Sequence, residues 1–293
     1  MKILVFGSSG QLGSIFLESV PKKFEVIAPL RNEADLTIED EIQKCICYYK
    51  PNVILNFAAF TDVDGSEKNP KLAFQINSIA PSIISSCANK INSVFLHIST
   101  DYVYNTLNNK FLNEESDINP INVYGKSKAL GEKFIKENCQ KFIILRTSWL
   151  YSNYKNNFFT TISKLIKTKN SIEVVNDQIG SPTLVNDFIG GLLIILECLN
   201  KNNLGNIVNK KIWGIYNLSN SGVTSWYKFA CKIAFKMGYN PSKKIIPVNS
   251  IDYGSVAHRP LNSRLDNSKI LKTFGIELPF WEDSFNDFYE NSS

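Results

Sequence analysis

Met1-Lys2-Ile3-Leu4-Val5-Phe6-Gly7-Ser8-Ser9-Gly10-Gln11-Leu12-Gly13 opens the chain, and its reading decides the fold. An apolar run of strand character ends directly on G-x-x-G-x-x-G and leads into a helix-like stretch. Glycine at these positions permits a tight turn, close approach of backbone to a pyrophosphate, and close helix–strand packing. N–H groups at the start of the helix then face the phosphates. Gly7, Ser9, Gly10, Gln11, Leu12 and Gly13 are therefore candidate contacts for a dinucleotide.

The pattern downstream agrees. Apolar runs at 25–28, 53–56, 94–99, 142–146, 172–175 and 215–218 read as buried strands. Helix-like stretches at 11–20, 38–50, 70–89, 124–138, 158–169 and 186–200 lie between them. This alternation predicts an α/β fold, a Rossmann-type doubly wound parallel sheet covered on both faces. After residue 218 the pattern changes to a helix at 226–238, a strand at 243–248, an irregular loop and a helix at 267–274. A smaller C-terminal substrate-binding lobe is expected there. The expected division is an NADP-binding domain over 1–150, revisited at about 172–218, and a lobe of 219–293 with 151–171.

Composition narrows the function. A chain of 293 residues, 44% hydrophobic and 20% charged, packs a sizeable core and is not disordered. The net charge of +5 comes without a basic run, so no nucleic-acid partner is expected. The apolar stretch 188–199 contains Glu197 and falls short of the ~20 residues that span a bilayer. The apolar start stops at Gly7, too early for a signal-peptide core. Six Cys form no C-x-x-C pair and only two His accompany them, which reads as reduced thiols in a cytoplasmic protein with no metal. Only four Arg occur, at 31, 146, 259 and 264. Arg makes bidentate contacts with phosphates, and all four are expected where diphosphates bind.

Arg31 ends the second strand, where NAD binders tend to carry an acid for the ribose 2′-hydroxyl. A cation there suits a 2′-phosphate, so NADPH is expected, with NADH possible because Glu33 is close. Asp35 and Leu36 are candidate contacts with the adenine edge.

Two further signals carry chemistry. Tyr124-Gly125-Lys126-Ser127-Lys128 places Tyr124 and Lys128 on one helix face. A nearby ammonium favours the phenolate and would lower the Tyr pKa toward neutrality. The strand 94–99 ends in Ser99-Thr100-Asp101-Tyr102-Val103, and Thr100 could hydrogen-bond a carbonyl at the carboxyl end of the sheet. His97, within that strand, reads as a satisfied core histidine, and His258 as a loop residue near the site.

In this order and spacing the chain resembles the extended short-chain dehydrogenase/reductase family, narrowing to members that reduce dTDP-linked 4-keto sugars. The resemblance also rests on Asn56-Phe57-Ala58-Ala59-Phe60-Thr61-Asp62-Val63-Asp64, Arg146-Thr147-Ser148-Trp149-Leu150-Tyr151, Asn176-Asp177-Gln178-Ile179-Gly180-Ser181-Pro182-Thr183 and Arg259-Pro260-Leu261-Asn262-Ser263-Arg264-Leu265. It implies Thr100, Tyr124 and Lys128 as catalytic residues, with Asp101 assisting. It implies Ala58, Ala59, Thr61 and Ser99 at the cofactor, and Asn77 orienting the lysine. The dTDP-sugar would meet Val63, Asp64, Tyr102, Val103, Trp149, Asn176, Gln178, Arg259, Asn262 and Arg264. Related 4,6-dehydratases carry Thr-Asp-Glu where this chain has Thr100-Asp101-Tyr102, so reduction is favoured over elimination. Some relatives bridge a dimer through a metal held by Glu at positions that are Ile15 and Asn186 here, so that metal is not expected; a monomer or homodimer is. Phe60 replaces a polar residue common in relatives. Two alternatives stand: another NDP-4-keto-sugar reductase or epimerase, and a non-catalytic NADP-binding regulatory subunit of the methionine adenosyltransferase β type.

Overall fold

The computed structural model describes residues 1–106, 108–201 and 212–291. Six strands, β1 (Lys2–Phe6), β2 (Glu25–Ile27), β3 (Val53–Asn56), β4 (Val94–Thr100), β5 (Phe142–Thr147) and β6 (Gly214–Asn217), form one sheet in the order β6-β5-β4-β3-β1-β2. All its pairings are parallel. The expected doubly wound α/β architecture is thus observed. The winding direction reverses between β1 and β3, and open α/β sheets bind ligands at the carboxyl ends beside such a reversal.

Alternation along the strands explains the two-sided burial. Ile3, Val5, Val53, Leu55, Leu96, Ile143 and Leu145 face helices Gln11–Ser19 and Val185–Lys201. Leu4, Phe6, Ile54, Phe95 and Ile144 face helices Glu39–Tyr49 and Ala80–Lys90. Each such buried side chain contributes roughly 1.5–3 kcal/mol relative to exposure. Ile15 is buried in the first of these faces, which keeps it from the surface where a metal bridge would form. No helix among the described residues is long and apolar enough to cross a membrane.

A third core belongs to the lobe and joins Tyr151, Phe159, Ile166, Phe229, Ile233, Trp281 and Phe285. The strand Ile172–Val175, expected to lead the chain back to the nucleotide-binding half, pairs instead with Ile245–Val248 in this lobe. Its Val174 finds cover there rather than on the main sheet. The return is made by helix Val185–Lys201 and β6. Helix Trp281–Glu290 was not anticipated, although Trp281, Phe285 and Phe288 recur at helical spacing. Ser292 and Ser293 of the expected lobe lie outside the described residues.

Candidate active site

Three connected cavities open along the carboxyl ends of the strands. The first, about 630 Å³, runs over the glycine turn and is lined by Gly7, Ser9, Gly10, Gln11, Leu12, Arg31, Asp35, Leu36, Ala58, Ala59 and Thr61. Gly7 has φ +79°, and a Cβ there would strike the Ala58 backbone. No other residue fits that turn without strain. Helix Gln11–Ser19 starts at Gly10 with no side-chain cap and no acid in its first turn. Its free N–H groups therefore suit an anion, and the residues present fit a dinucleotide pyrophosphate. Gly13 lines no cavity and packs against the Gly7–Ser8 turn. Arg31 is 75% exposed and pairs with Asp35 at 3.2 Å. Lys155, Asn156 and Asn157 close the far wall, and Asn157 Nδ2 donates to Gln11 Oε1 at 3.1 Å. Sequence reading missed these three. Asn157 also caps helix Phe158–Thr168 with a reciprocal bond from Thr160, a pattern legible as N-x-x-T.

The second cavity, about 250 Å³, shares Leu12, Ala59 and Thr61 with the first and is lined by Val63, Ser99, Thr100, Asp101, Tyr102, Tyr124, Lys128, Thr147, Trp149 and Trp226. Helix Val123–Asn138 sets Tyr124 and Lys128. Asn122 caps it through Gly125 N at 2.7 Å, and Glu67 accepts Val123 N at 2.8 Å. Gly125 lets the helix press on Tyr102, whose carbonyl would collide with any Cβ. Thr100 Oγ1 accepts Tyr102 N at 3.2 Å and donates to Asp101 Oδ1 at 3.0 Å.

Burial pushes the Tyr124 phenol above its ordinary value, against a hydrogen bond with Thr100, and the Asp101 charge pushes the same way as burial. The lysine does not produce the lowering expected at Tyr124, because its Nζ lies 3.0 Å from His97 Nε2 and 2.6 Å from the Ile98 carbonyl. Burial pushes Lys128 down to about 8, with Glu132 opposing. Burial likewise pushes Asp101 up to about 6, against hydrogen bonds with Ser263 and Thr100. Asp101 Oδ2 and Thr147 Oγ1 are buried without a hydrogen-bond partner, and both residues line this cavity. Such atoms are rare and point to groups a ligand would satisfy. Trp149 has φ +51° and stacks on Trp226 with centroids 3.6 Å apart. A positive φ at a bulky residue costs of order 1–3 kcal/mol and marks a functional position.

The third cavity, about 770 Å³, shares Tyr102 and Trp226 with the second and takes Asp64, Gln178 and Arg259 from opposite sides of the cleft. Arg259 pairs with Asp64 at 2.9 Å.

One family model, the RmlD substrate binding domain, matches residues 1–293. The chain belongs to the RmlD family. Among its relatives is the dTDP-4-dehydrorhamnose reductase of Aggregatibacter actinomycetemcomitans, 38% identical over 288 residues and 96% of each chain. Another is the spore coat polysaccharide biosynthesis protein SpsK of Bacillus subtilis, 33% identical over 100% of this chain and 98% of that one. The crystal structure of dTDP-4-dehydrorhamnose reductase from Bacillus anthracis in complex with NADP superposes with a TM-score of 0.88, 33% identity and 99% of each chain covered.

Within this RmlD-family site several expected residues stand apart from the cavities. Arg146 is 2% exposed and locked by Nε and Nη2 to Glu132 at 2.9 and 2.5 Å, with Tyr104 on Nη1. It meets no phosphate; its charge is spent inside the protein. Asn77 sits in a π-helical turn, Gln75–Ile79, within the predicted helix 70–89. It bonds both backbone groups of Phe60 and the Ser127 hydroxyl, not Lys128. Asn176 accepts Ser225 Oγ. Asn262 holds the loop at Thr106, Asn108 and Lys110, and accepts Arg264 Nη1. Val103 is core. Trp226 and Thr147, by contrast, were not read from sequence as site residues; their partners come from remote segments, which no local pattern reveals.

Proposed function

We propose that the protein is an NADPH-dependent reductase that converts the C4 ketone of dTDP-4-dehydro-6-deoxy-L-mannose to the alcohol of dTDP-L-rhamnose. One observation carries the reading: a dinucleotide groove, a small chamber holding Thr100 and Tyr124, and a lobe cavity adjoin through shared walls. Relatives named dTDP-4-dehydrorhamnose reductase at 31–38% identity support the substrate.

The glycine turn and the start of helix Gln11–Ser19 would hold the pyrophosphate, Arg31 the 2′-phosphate, and Asp35 and Leu36 the adenine edge. Bound there, NADPH supplies hydride. Thr100 steers the ketone oxygen, and Tyr124 gives it the phenolic proton as negative charge develops. Burial keeps that proton on Tyr124 until the oxygen claims it. Asp101 and Thr147 present buried acceptor and hydroxyl groups to the sugar. Gln178 and Arg259 lie toward the nucleoside diphosphate. Tyr102 stands where elimination would need a carboxylate base, so reduction ends the reaction.

A second reading keeps the chemistry and changes the sugar, as the likeness to SpsK allows. A panel of NDP-4-keto sugars, followed by loss of NADPH absorbance, tests both. Fastest turnover on the rhamnose precursor is expected; cofactor binding with no turnover on any member would leave the regulatory-subunit alternative. Arg31→Ala is expected to weaken NADPH by roughly ten- to a hundredfold, the worth of a charge-assisted hydrogen bond, with NADH little changed. Equal losses in fluorescence titrations would take Arg31 off the 2′-phosphate.

A further inference from the structure

Lys128 is 1% exposed, and what holds its nitrogen is a buried chain of neutral groups reaching back to the cofactor groove. The chain begins at Ala58, a wall residue of that groove, whose N–H donates to Asn56 Oδ1 at 3.1 Å. A backbone N–H can only donate, so the Asn56 amide cannot be turned over. Its Nδ2 therefore faces His97 Nδ1, 3.2 Å away. An amide nitrogen also only donates, so Nδ1 must accept and the ring proton of a neutral imidazole must sit on Nε2. Nε2 points at Lys128 Nζ at 3.0 Å, and Nζ meets the Ile98 carbonyl at 2.6 Å. An ammonium would set its own protons against Nε2–H. A neutral amine satisfies every atom: it accepts from Nε2 and donates to Ile98.

We infer that His97 is a positioning residue, fixed by Asn56 as the Nε2–H tautomer, which holds Lys128 as a neutral amine. The role usually sought in the Asn of the preceding helix is not open to Asn77, whose amide is fully used.

The surroundings agree. Burial and the lysine keep His97 far below its ordinary value, so the ring is neutral. Glu132, one turn along the helix, favours the ammonium, but Arg146 from β5 and Ser99 from β4 already hold its carboxylate. Asp101, Tyr102 and Tyr124 share the cavity with Lys128. From β3 the facing group is the neutral Asn56. Resting on the reductase reading, the consequence is that Tyr124 starts each turnover with its proton, and the amine takes one up when charge develops on the phenol.

The test needs no turnover. His97 and His258 are the only histidines, so 15N spectra of histidine-labelled protein resolve both rings. The Nε2–H tautomer is expected for His97; an Nδ1–H signal overturns the inference. Lysine labelled at Nζ, with the Lys128→Met variant marking its signal, gives the lysine titration directly. His97→Gln offers the amine an oxygen, and the Lys128 midpoint should rise by about one pH unit or more. An unchanged midpoint would sink the proposal. If that variant does not fold, Asn56→Asp reverses the tautomer while keeping the Ala58 bond, and should raise the midpoint likewise. A lost reductase activity with the expected spectra would count against the reaction and leave the relay standing.

Discussion

Replacing Tyr124 with Phe should lower kcat by roughly 10²–10⁴-fold, the contribution of a positioned general acid. The phenol lies 9% exposed at the end of a capped helix, in the same small chamber as Thr100, and lines no part of the groove over the glycine turn. Only the hydroxyl is deleted, and the ring still packs edge-on to Tyr102. NADPH affinity should therefore stay within a few fold. Such a rate loss corresponds to about 3–5.5 kcal/mol of transition-state stabilisation. Steady-state turnover paired with a cofactor titration separates the two quantities, and undiminished turnover would remove Tyr124 from the chemistry.

Glu132→Ala should cost stability on a similar scale. Arg146 keeps its charge at any working pH and loses a bidentate partner in a site both residues share at 2% and 4% exposure. Ser99 loses its acceptor as well. Breaking a buried pair from one side typically costs roughly 3–5 kcal/mol. Urea unfolding should show the midpoint falling accordingly. Removing both charges with Glu132→Leu and Arg146→Met should recover much of the loss, since the pair itself is expensive to bury. A single-variant loss below about 1 kcal/mol would mean the charges are solvated.

The sequence made the sheet, the glycine turn, and the Thr100, Tyr124 and Lys128 set legible because each is encoded locally. Alternating apolar runs announce buried parallel strands, and Gly7 announces a backbone only glycine adopts. What stayed hidden depends on pairing at a distance. Arg146 looked free for phosphate because Glu132 lies on a helix whose facing strand cannot be read from spacing. His97 looked like inert core because its meaning lies in Asn56 on one side and Lys128 on the other. Ile172–Val175 carries a strand's composition, but no feature of four residues tells which sheet will take them. Trp226 reaches the chamber only by folding the lobe over it.

Helix Val185–Lys201 has a consequence for how the protein is made. It covers a face of the main sheet that β1, β3, β4 and β5 would otherwise leave bare, and Ile270, Ile276 and Leu278 complete the same layer. During synthesis, the first half emerges with its glycine turn in place but one apolar face unshielded. That nascent sheet must wait for most of the remaining chain before it is closed on both sides. Co-translational folding is thus postponed almost to release, and the waiting intermediate is the species for which a chaperone would have most use.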